Sequence, residues 1–132
     1  MILGGQIRGD SPRIMLIYPQ GNVIEASDDT LHLQIGESKT GKPMLDRLGG
    51  EDIPLYDCAR LTVISLEATI RSNLSVGPPI DLVIMPKDTL AISQELRLTS
   101  ESAFYLQSKR HWQAGIEVAF KSLPKFEWEQ AG

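Results

Sequence analysis

The sequence predicts an α+β domain whose strands pair as antiparallel hairpins. Three observations carry this reading. Short runs rich in Ile, Leu and Val open the chain and are separated by turn residues. Two long stretches place apolar residues at helical spacing. A second pair of strand-like runs lies between those two helices, so the order reads β-β-β-β-α-α-β-β-α. Hairpins mixed with helices in this way belong to α+β architectures, because a parallel sheet needs strands and helices in regular alternation.

Ile2 to Arg8, Ile14 to Pro19 and Asn22 to Ala26 read as the first three strands, broken by Gly9-Asp10-Ser11-Pro12 and by Gln20-Gly21-Asn22. Leu31, Leu33 and Ile35 alternate with His32 and Gln34, the pattern of a half-buried fourth strand. Lys42 to Leu48 reads as a short helix, with Pro43 in its first turn and Gly49-Gly50 as its stop. Asp52 is the expected N-cap of the next helix, which has Pro54 just inside it and runs to about Ser72. Leu55, Cys58, Ala59, Thr62, Leu66 and Ile70 form its expected inner face, and Leu61, Val63, Ile64 and Ala68 add apolar surface around that face. A helix this apolar is expected to be covered on most sides.

Ile80 to Met85 and Thr89 to Leu98 read as a hairpin turning at Pro86-Lys87-Asp88. Ser100 is placed to cap the final helix, from about Glu101 to Leu123, where Pro124 ends it. Its expected inner face is Tyr105, Trp112, Ile116, Ala119, Phe120 and Leu123. The tail Phe126-Glu127-Trp128 is apolar enough that docking is expected.

The chain has 132 residues, 42% hydrophobic and 23% charged, the composition of one domain. No apolar run reaches the roughly 20 residues that span a bilayer. The opening Met1-Ile2-Leu3-Gly4-Gly5-Gln6-Ile7-Arg8 does not have the pattern of a secretory leader. One cysteine, Cys58, cannot form an internal disulfide, and the expected compartment is the reducing cytoplasm. A net charge of −4 with scattered basic residues argues against nucleic-acid binding, which needs a concentrated basic face.

Gly36-Glu37-Ser38-Lys39-Thr40-Gly41-Lys42 fits the phosphate-binding loop pattern up to its lysine. The next position must be Ser or Thr to hold magnesium, and here it is Pro43, so a structural turn is the better reading. Arg8-Gly9-Asp10 is read as a hairpin tip. His32 and His111 lack cysteine or carboxylate neighbours at metal-ligand spacing. Glu25, Asp28 and Asp29 read as a solvated turn, with divalent-cation binding as the alternative. Cys58 is expected to be a buried thiol. No Ser-His-Asp or Cys-His constellation stands in the chain.

Several segments together resemble one family. Leu3-Gly4-Gly5-Gln6-Ile7-Arg8-Gly9 and Leu16-Ile17-Tyr18-Pro19-Gln20-Gly21-Asn22 carry the first part of the match. Gln34-Ile35-Gly36-Glu37 and Gly41-Lys42-Pro43-Met44-Leu45-Asp46-Arg47 continue it. The longest piece is Arg71-Ser72-Asn73-Leu74-Ser75-Val76-Gly77-Pro78-Pro79-Ile80-Asp81. The chain resembles the C-terminal half of the bacterial proteasome-like Anbu (ancestral beta-subunit) family, which is similar to proteasome beta subunits and to the HslV peptidase. The resemblance implies part of a four-layer α-β-β-α sandwich of the N-terminal-nucleophile hydrolase type, over 1–132 as a single domain. It implies peptide-bond hydrolysis by a terminal Thr or Ser in the parent protein, with the α-amine as base. The nucleophile half is expected to be absent, so no catalytic nucleophile is assigned within these residues.

Three supporting residues are carried over from the resemblance. Ser75 matches a family serine that follows an aspartate by three residues, and Ser72 stands where that aspartate would be. Ser38 falls where related subunits have a Gly-Ser turn near the nucleophile. The loop holding Ser72 and Ser75 has two open roles, simple chain reversal or support of a site. No cofactor and no metal are expected. The expected partners are copies of the chain itself or the N-terminal half of the same subunit, with a peptide substrate for the parent enzyme and neither nucleic acid nor membrane. The alternative is a non-catalytic self-assembling or peptide-binding domain.

Overall fold

Backbone hydrogen bonding sorts the strands into two antiparallel sheets. The computed structural model describes residues 1–129. The first sheet contains β1 (Ile2–Gly5), β2 (Arg13–Ile17) and β3 (Val23–Glu25) in that order, with Ile2 opposite Leu16 and Leu16 opposite Ile24. The Met1 ammonium donates to the Ile17 carbonyl at 2.9 Å and extends the ladder by one rung. Arg13 clamps Glu25 across β2 and β3 with two hydrogen bonds of 2.7 Å. That pairing holds the Glu25 carboxyl below its ordinary range. Both groups are solvated, so the pair fixes local geometry and adds little stability.

The predicted order holds element by element, with one difference. Residues 31–35 keep their alternating sequence but form no ladder. They follow an isolated bridge between Ser27 and Thr30. A strand exists by pairing its N–H and C=O groups with a neighbour, and no described segment pairs with this one.

The second sheet pairs β4 (Ile80–Ile84) with β5 (Gln94–Leu98), Ile80 facing Leu98 and Ile84 facing Gln94. The second strand is shorter than the sequence suggested. Thr89 Oγ1 donates to the carbonyls of Pro86 and Ala91, and Asp88 and Leu90 have φ of 65° and 53°. These local bonds offer the backbone an alternative to the ladder. The same turn ties the two sheets together. Gln6 Nε2 donates to Asp88 Oδ1 at 2.6 Å, and the Asp88 N–H donates back to Gln6 Oε1 at 2.7 Å.

The helices are α1 (Lys42–Leu48), α2 (Leu55–Ser72) and α3 (Ala103–Lys121). The caps differ from expectation. α2 begins after Pro54, and no side chain, Asp52 included, caps it. α3 begins after Ser102, not Ser100; the Ser102 hydroxyl accepts from the Thr99 N–H at 2.8 Å. The core lies between α2, the second sheet and the first turns of α3. Val63, Ile80, Leu98 and Tyr105 form it, with Leu66, Ile70 and Leu82 packed against them.

The buried positions of α2 are Leu61, Val63, Ile64, Ser65, Glu67 and Thr69, while Leu55 and Cys58 of the expected inner face are exposed. α1, α3 and β4 all pack against α2, so burial does not follow one stripe. Ser65 and Thr69 are buried because the loop before α1 crosses them at Gly41. A Cβ on Gly41 would lie 2.5 Å from Ser65 Oγ and 2.9 Å from both the Ser65 carbonyl and Thr69 Oγ1.

Glu67 is the buried charge. Its carboxylate lies 3.6 Å from Arg71 Nε and 3.8 Å from Lys109 Nζ. Burial, helped by the Glu67 charge, pushes the Tyr105 hydroxyl above its ordinary pKa. A hydroxyl whose pKa is raised on folding keeps its proton longer in the folded chain. Its contribution to stability is therefore complete below about pH 10 and is lost as pH rises through the folded value. Urea unfolding should weaken above pH 10, and Tyr105→Phe should flatten that alkaline limb.

Only the first half of α3 matches its expected inner face. Tyr105 is 4% exposed, but Ile116, Phe120 and Leu123 are 44%, 72% and 61% exposed. The tail does not dock either. Phe126 and Trp128 stack on each other, ring centroids 4.5 Å apart, and remain 60% and 73% exposed. Gly115 sits mid-helix on α3 with no atom near a would-be Cβ. Gly115→Ala should therefore raise stability by roughly 0.5–1 kcal/mol in thermal unfolding, by removing backbone freedom from the unfolded chain.

Candidate functional site

The C-terminal end of α2 holds Ser72 and leads into the loop of Ser75. The Asn73 N–H donates to the Thr69 carbonyl at 2.9 Å and closes the helix. The Asn73 side chain then turns back on the loop. Its Oδ1 accepts from the Ser75 N–H at 2.9 Å and from the Ser75 hydroxyl at 2.7 Å. This is an Asx turn, in which a short amide replaces a backbone acceptor. The loop runs through a cis Pro78–Pro79 peptide into β4 at Ile80.

Ser72 is the exposed last residue of α2, and its side chain makes no hydrogen bond to Ser75 or to any other described residue. Ser38 is half-buried in the loop before α1, where its carbonyl accepts from the Lys42 N–H at 3.0 Å. Gly41 seats that loop on Ser65 and Thr69 in the second half of α2, the helix that leads into the loop of Ser75. No hydrogen bond joins the two loops among the described residues.

A cavity of about 430 Å³ opens between residues 31–35 and α2. Gln34, Glu37, Thr62, Ser65 and Thr69 place polar groups in walls that are otherwise mainly apolar, with Leu31, Leu33, Ile35, Leu61 and Leu66 among them. Gln34 Oε1 is buried there without a donor. The threonine hydroxyls are already engaged: Thr62 donates to the Cys58 carbonyl and Thr69 to the Ser65 carbonyl. Cys58 is exposed and not the buried thiol expected, because it opens onto this cavity. These groups can line a pocket or hold a backbone. No described hydroxyl or thiol donates to an imidazole or amine, so none is set up as an activated nucleophile.

The resemblance to a phosphate loop does not extend to the geometry. Lys42 Nζ donates to both carboxylate oxygens of Asp46, at 2.8 and 2.7 Å. The Lys39 N–H is taken by Glu37 Oε1 at 2.9 Å. A lysine and an amide needed by phosphate are thus turned onto carboxylates. Calorimetric titration with ATP and magnesium should give no saturable heat; a micromolar isotherm abolished by Lys42→Ala would contradict this. Among the described residues, no three His, Cys, Asp or Glu side chains converge as a metal site. His32 Nε2 lies 3.5 Å from Asp46 Oδ1, and His111 is exposed on α3.

Sequence reasoning missed the role of Asn73. The signal was present, since Asn just after a helix and two residues before a serine favours an Asx turn.

No family model matches the chain, and no curated protein matches it. Solved structures do. Anbu from Hyphomicrobium sp. strain MC1 superposes with a TM-score of 0.91 at 45% identity, covering 96% of this chain and 54% of that one. The chain belongs to the Anbu family. Anbu (ancestral beta-subunit) from Yersinia bercovieri superposes with a TM-score of 0.91 at 44% identity, covering 96% of this chain and 53% of its own. Anbu from Pseudomonas aeruginosa, solved as a helical assembly, gives a TM-score of 0.89 at 45% identity over 95% of this chain and 52% of its own. The chain thus spans about half the length of the Anbu proteins it matches. Among its described residues, no helix is long and apolar enough to cross a membrane.

Proposed function

We propose that residues 1–132 are the C-terminal portion of an Anbu-type, proteasome-like peptidase subunit and form a single domain that supports the active centre without supplying its nucleophile. The observation that carries the reading is the agreement over nearly the whole chain with about half of each Anbu chain. The parent reaction is peptide-bond hydrolysis by a terminal Thr or Ser in the cytoplasm. Ser75, Ser72 and Ser38 are the supporting residues, with Ser75 oriented by Asn73. Copies of the chain associate, or it joins the rest of the subunit; the helical assembly of the Pseudomonas aeruginosa protein supports association.

A polypeptide of these 132 residues is expected to have no peptidase activity, because the nucleophile and its base supply most of the rate enhancement. Fluorogenic peptides test this. Turnover that vanishes in Ser75→Ala would overturn the reading. The second reading, a non-catalytic self-assembling or peptide-binding domain, is favoured by the unpaired segment 31–35 beside its cavity. An extended peptide could add to that segment as a strand. Saturable peptide binding without turnover, in a chain joined to a nucleophile-bearing first half, would favour it.

A further inference from the structure

The bond between Asn73 and Ser75 has a direction, and the direction limits what Ser75 can do. The Asn73 backbone is fixed twice: its N–H donates to the Thr69 carbonyl at 2.9 Å, and its carbonyl accepts from the Val76 N–H at 3.1 Å. Its half-buried side chain then meets two groups of Ser75, the N–H at 2.9 Å and the hydroxyl at 2.7 Å. A backbone N–H can only donate, so the amide atom facing it is the oxygen and not the nitrogen. That oxygen can only accept, so the Ser75 hydroxyl commits its proton to Asn73. What remains to Ser75 is acceptor capacity on an exposed residue.

A hydroxyl that cannot donate is of no use to a carbonyl or an oxyanion; it serves a donor. In peptide-bond hydrolysis by a terminal residue, the group with N–H donors is the α-amine. It takes the nucleophile's proton as the hydroxyl oxygen bonds to the peptide carbonyl carbon, and returns it to the departing amine as the peptide C–N bond breaks. An amine held through an N–H keeps its lone pair free for that proton, and the ammonium so formed keeps the same acceptor. We infer that Asn73 is a positioning residue that locks Ser75 as an uncharged acceptor for the α-amine of the nucleophile. Neutrality matters as much as direction. A nearby carboxylate holds an amine protonated to higher pH, whereas an amide makes the same two bonds without charge. Ser72 adds no charge either. The charged residues on the elements that this loop joins are turned elsewhere, Arg71 to Gln113 and Glu67 and Asp81 to Arg97. The inference rests on the reading of Ser75 as a support of the active centre.

Kinetics of the full-length subunit on fluorogenic peptides, from about pH 6 to 9 and with circular dichroism as a check on folding, test it. Asn73→Ala is expected to lower kcat about tenfold while KM changes less than about twofold, because the acceptor is needed when the proton moves. Asn73→Asp keeps both acceptor bonds and adds a charge. It is expected to recover most of kcat at its best pH, with the ascending limb of kcat/KM moved up by roughly one pH unit. Ser75→Ala is expected to lower kcat as well, and Asn73→Ala in that background to cost nothing further, since Asn73 acts through Ser75. Unchanged kcat in Asn73→Ala overturns the inference and leaves the peptidase reading intact. So do losses that add in the double variant, and so does an Asn73→Asp enzyme that is as slow as Asn73→Ala or keeps the original limb. If Asn73→Ala fails to fold, the limb of Asn73→Asp decides alone. Full-length protein without turnover overturns the peptidase reading and this inference with it.

Discussion

Leu98→Ala is expected to remove about 2–5 kcal/mol of stability and to leave a large share of the chain unfolded at 37 °C. Leu98 is 2% exposed at the end of β5, directly opposite Ile80, and packs in one cluster with Val63 and Tyr105. That cluster joins α2, the second sheet and the start of α3, so a cavity there loosens three elements together. The core cannot easily compensate, because buried hydrophobic side chains number only eight among the described residues. A melting temperature lowered by roughly 10 °C follows from the usual entropy of unfolding for a chain of this size. Leu74→Ala is the matched control, since Leu74 is fully exposed, and should change stability by no more than about 0.5 kcal/mol. A loss below about 1 kcal/mol for Leu98→Ala would mean that the core repacks around the gap.

The sequence was legible wherever one segment decides its own structure. The Leu61–Ile70 stretch of α2, the Ile80–Ile84 strand and the Gly49-Gly50 stop all follow from local pattern. Residues 31–35 were misread because alternation describes a face, whereas a ladder needs a neighbour. The second half of α3 shows the same limit: Ile116, Phe120 and Leu123 have helical spacing but no described element covers them. Burial of Ser65 and Thr69 was invisible for the opposite reason, since small polar side chains are buried there by a glycine more than twenty residues earlier. At the candidate site, the positions of Ser38, Ser72 and Ser75 came from the family resemblance. The Ser75–Asn73 bond is local chemistry that the sequence contained. The seating of the Ser38 loop on α2, through Gly41 against Ser65 and Thr69, required the fold.

Gly41→Val is expected to unseat the loop before α1 and to cost more than the roughly 1–3 kcal/mol typical of overpacking. The argument is distance. Even a single Cβ at this position would lie 2.5 Å from Ser65 Oγ and 2.9 Å from the Ser65 carbonyl. The hydroxyl can rotate away, but the carbonyl belongs to the α2 backbone and accepts from Thr69 Oγ1 at 3.1 Å. The loop must therefore lift, carrying Ser38 away from α2 and opening the helix face that buries Ser65. Alanine should cost less than valine, whose two further methyl groups enlarge the clash. Gly50→Ala should be nearly silent, because no atom lies within 4 Å of a Cβ there. Urea unfolding of Gly41→Ala in a Ser65→Ala background separates the two contacts. Removing the hydroxyl should recover part of the loss and the carbonyl should retain the rest, giving a coupling of about 0.5 kcal/mol or more. Full additivity of the two substitutions would mean that Gly41 does not rest on Ser65, and that another contact holds the loop against α2.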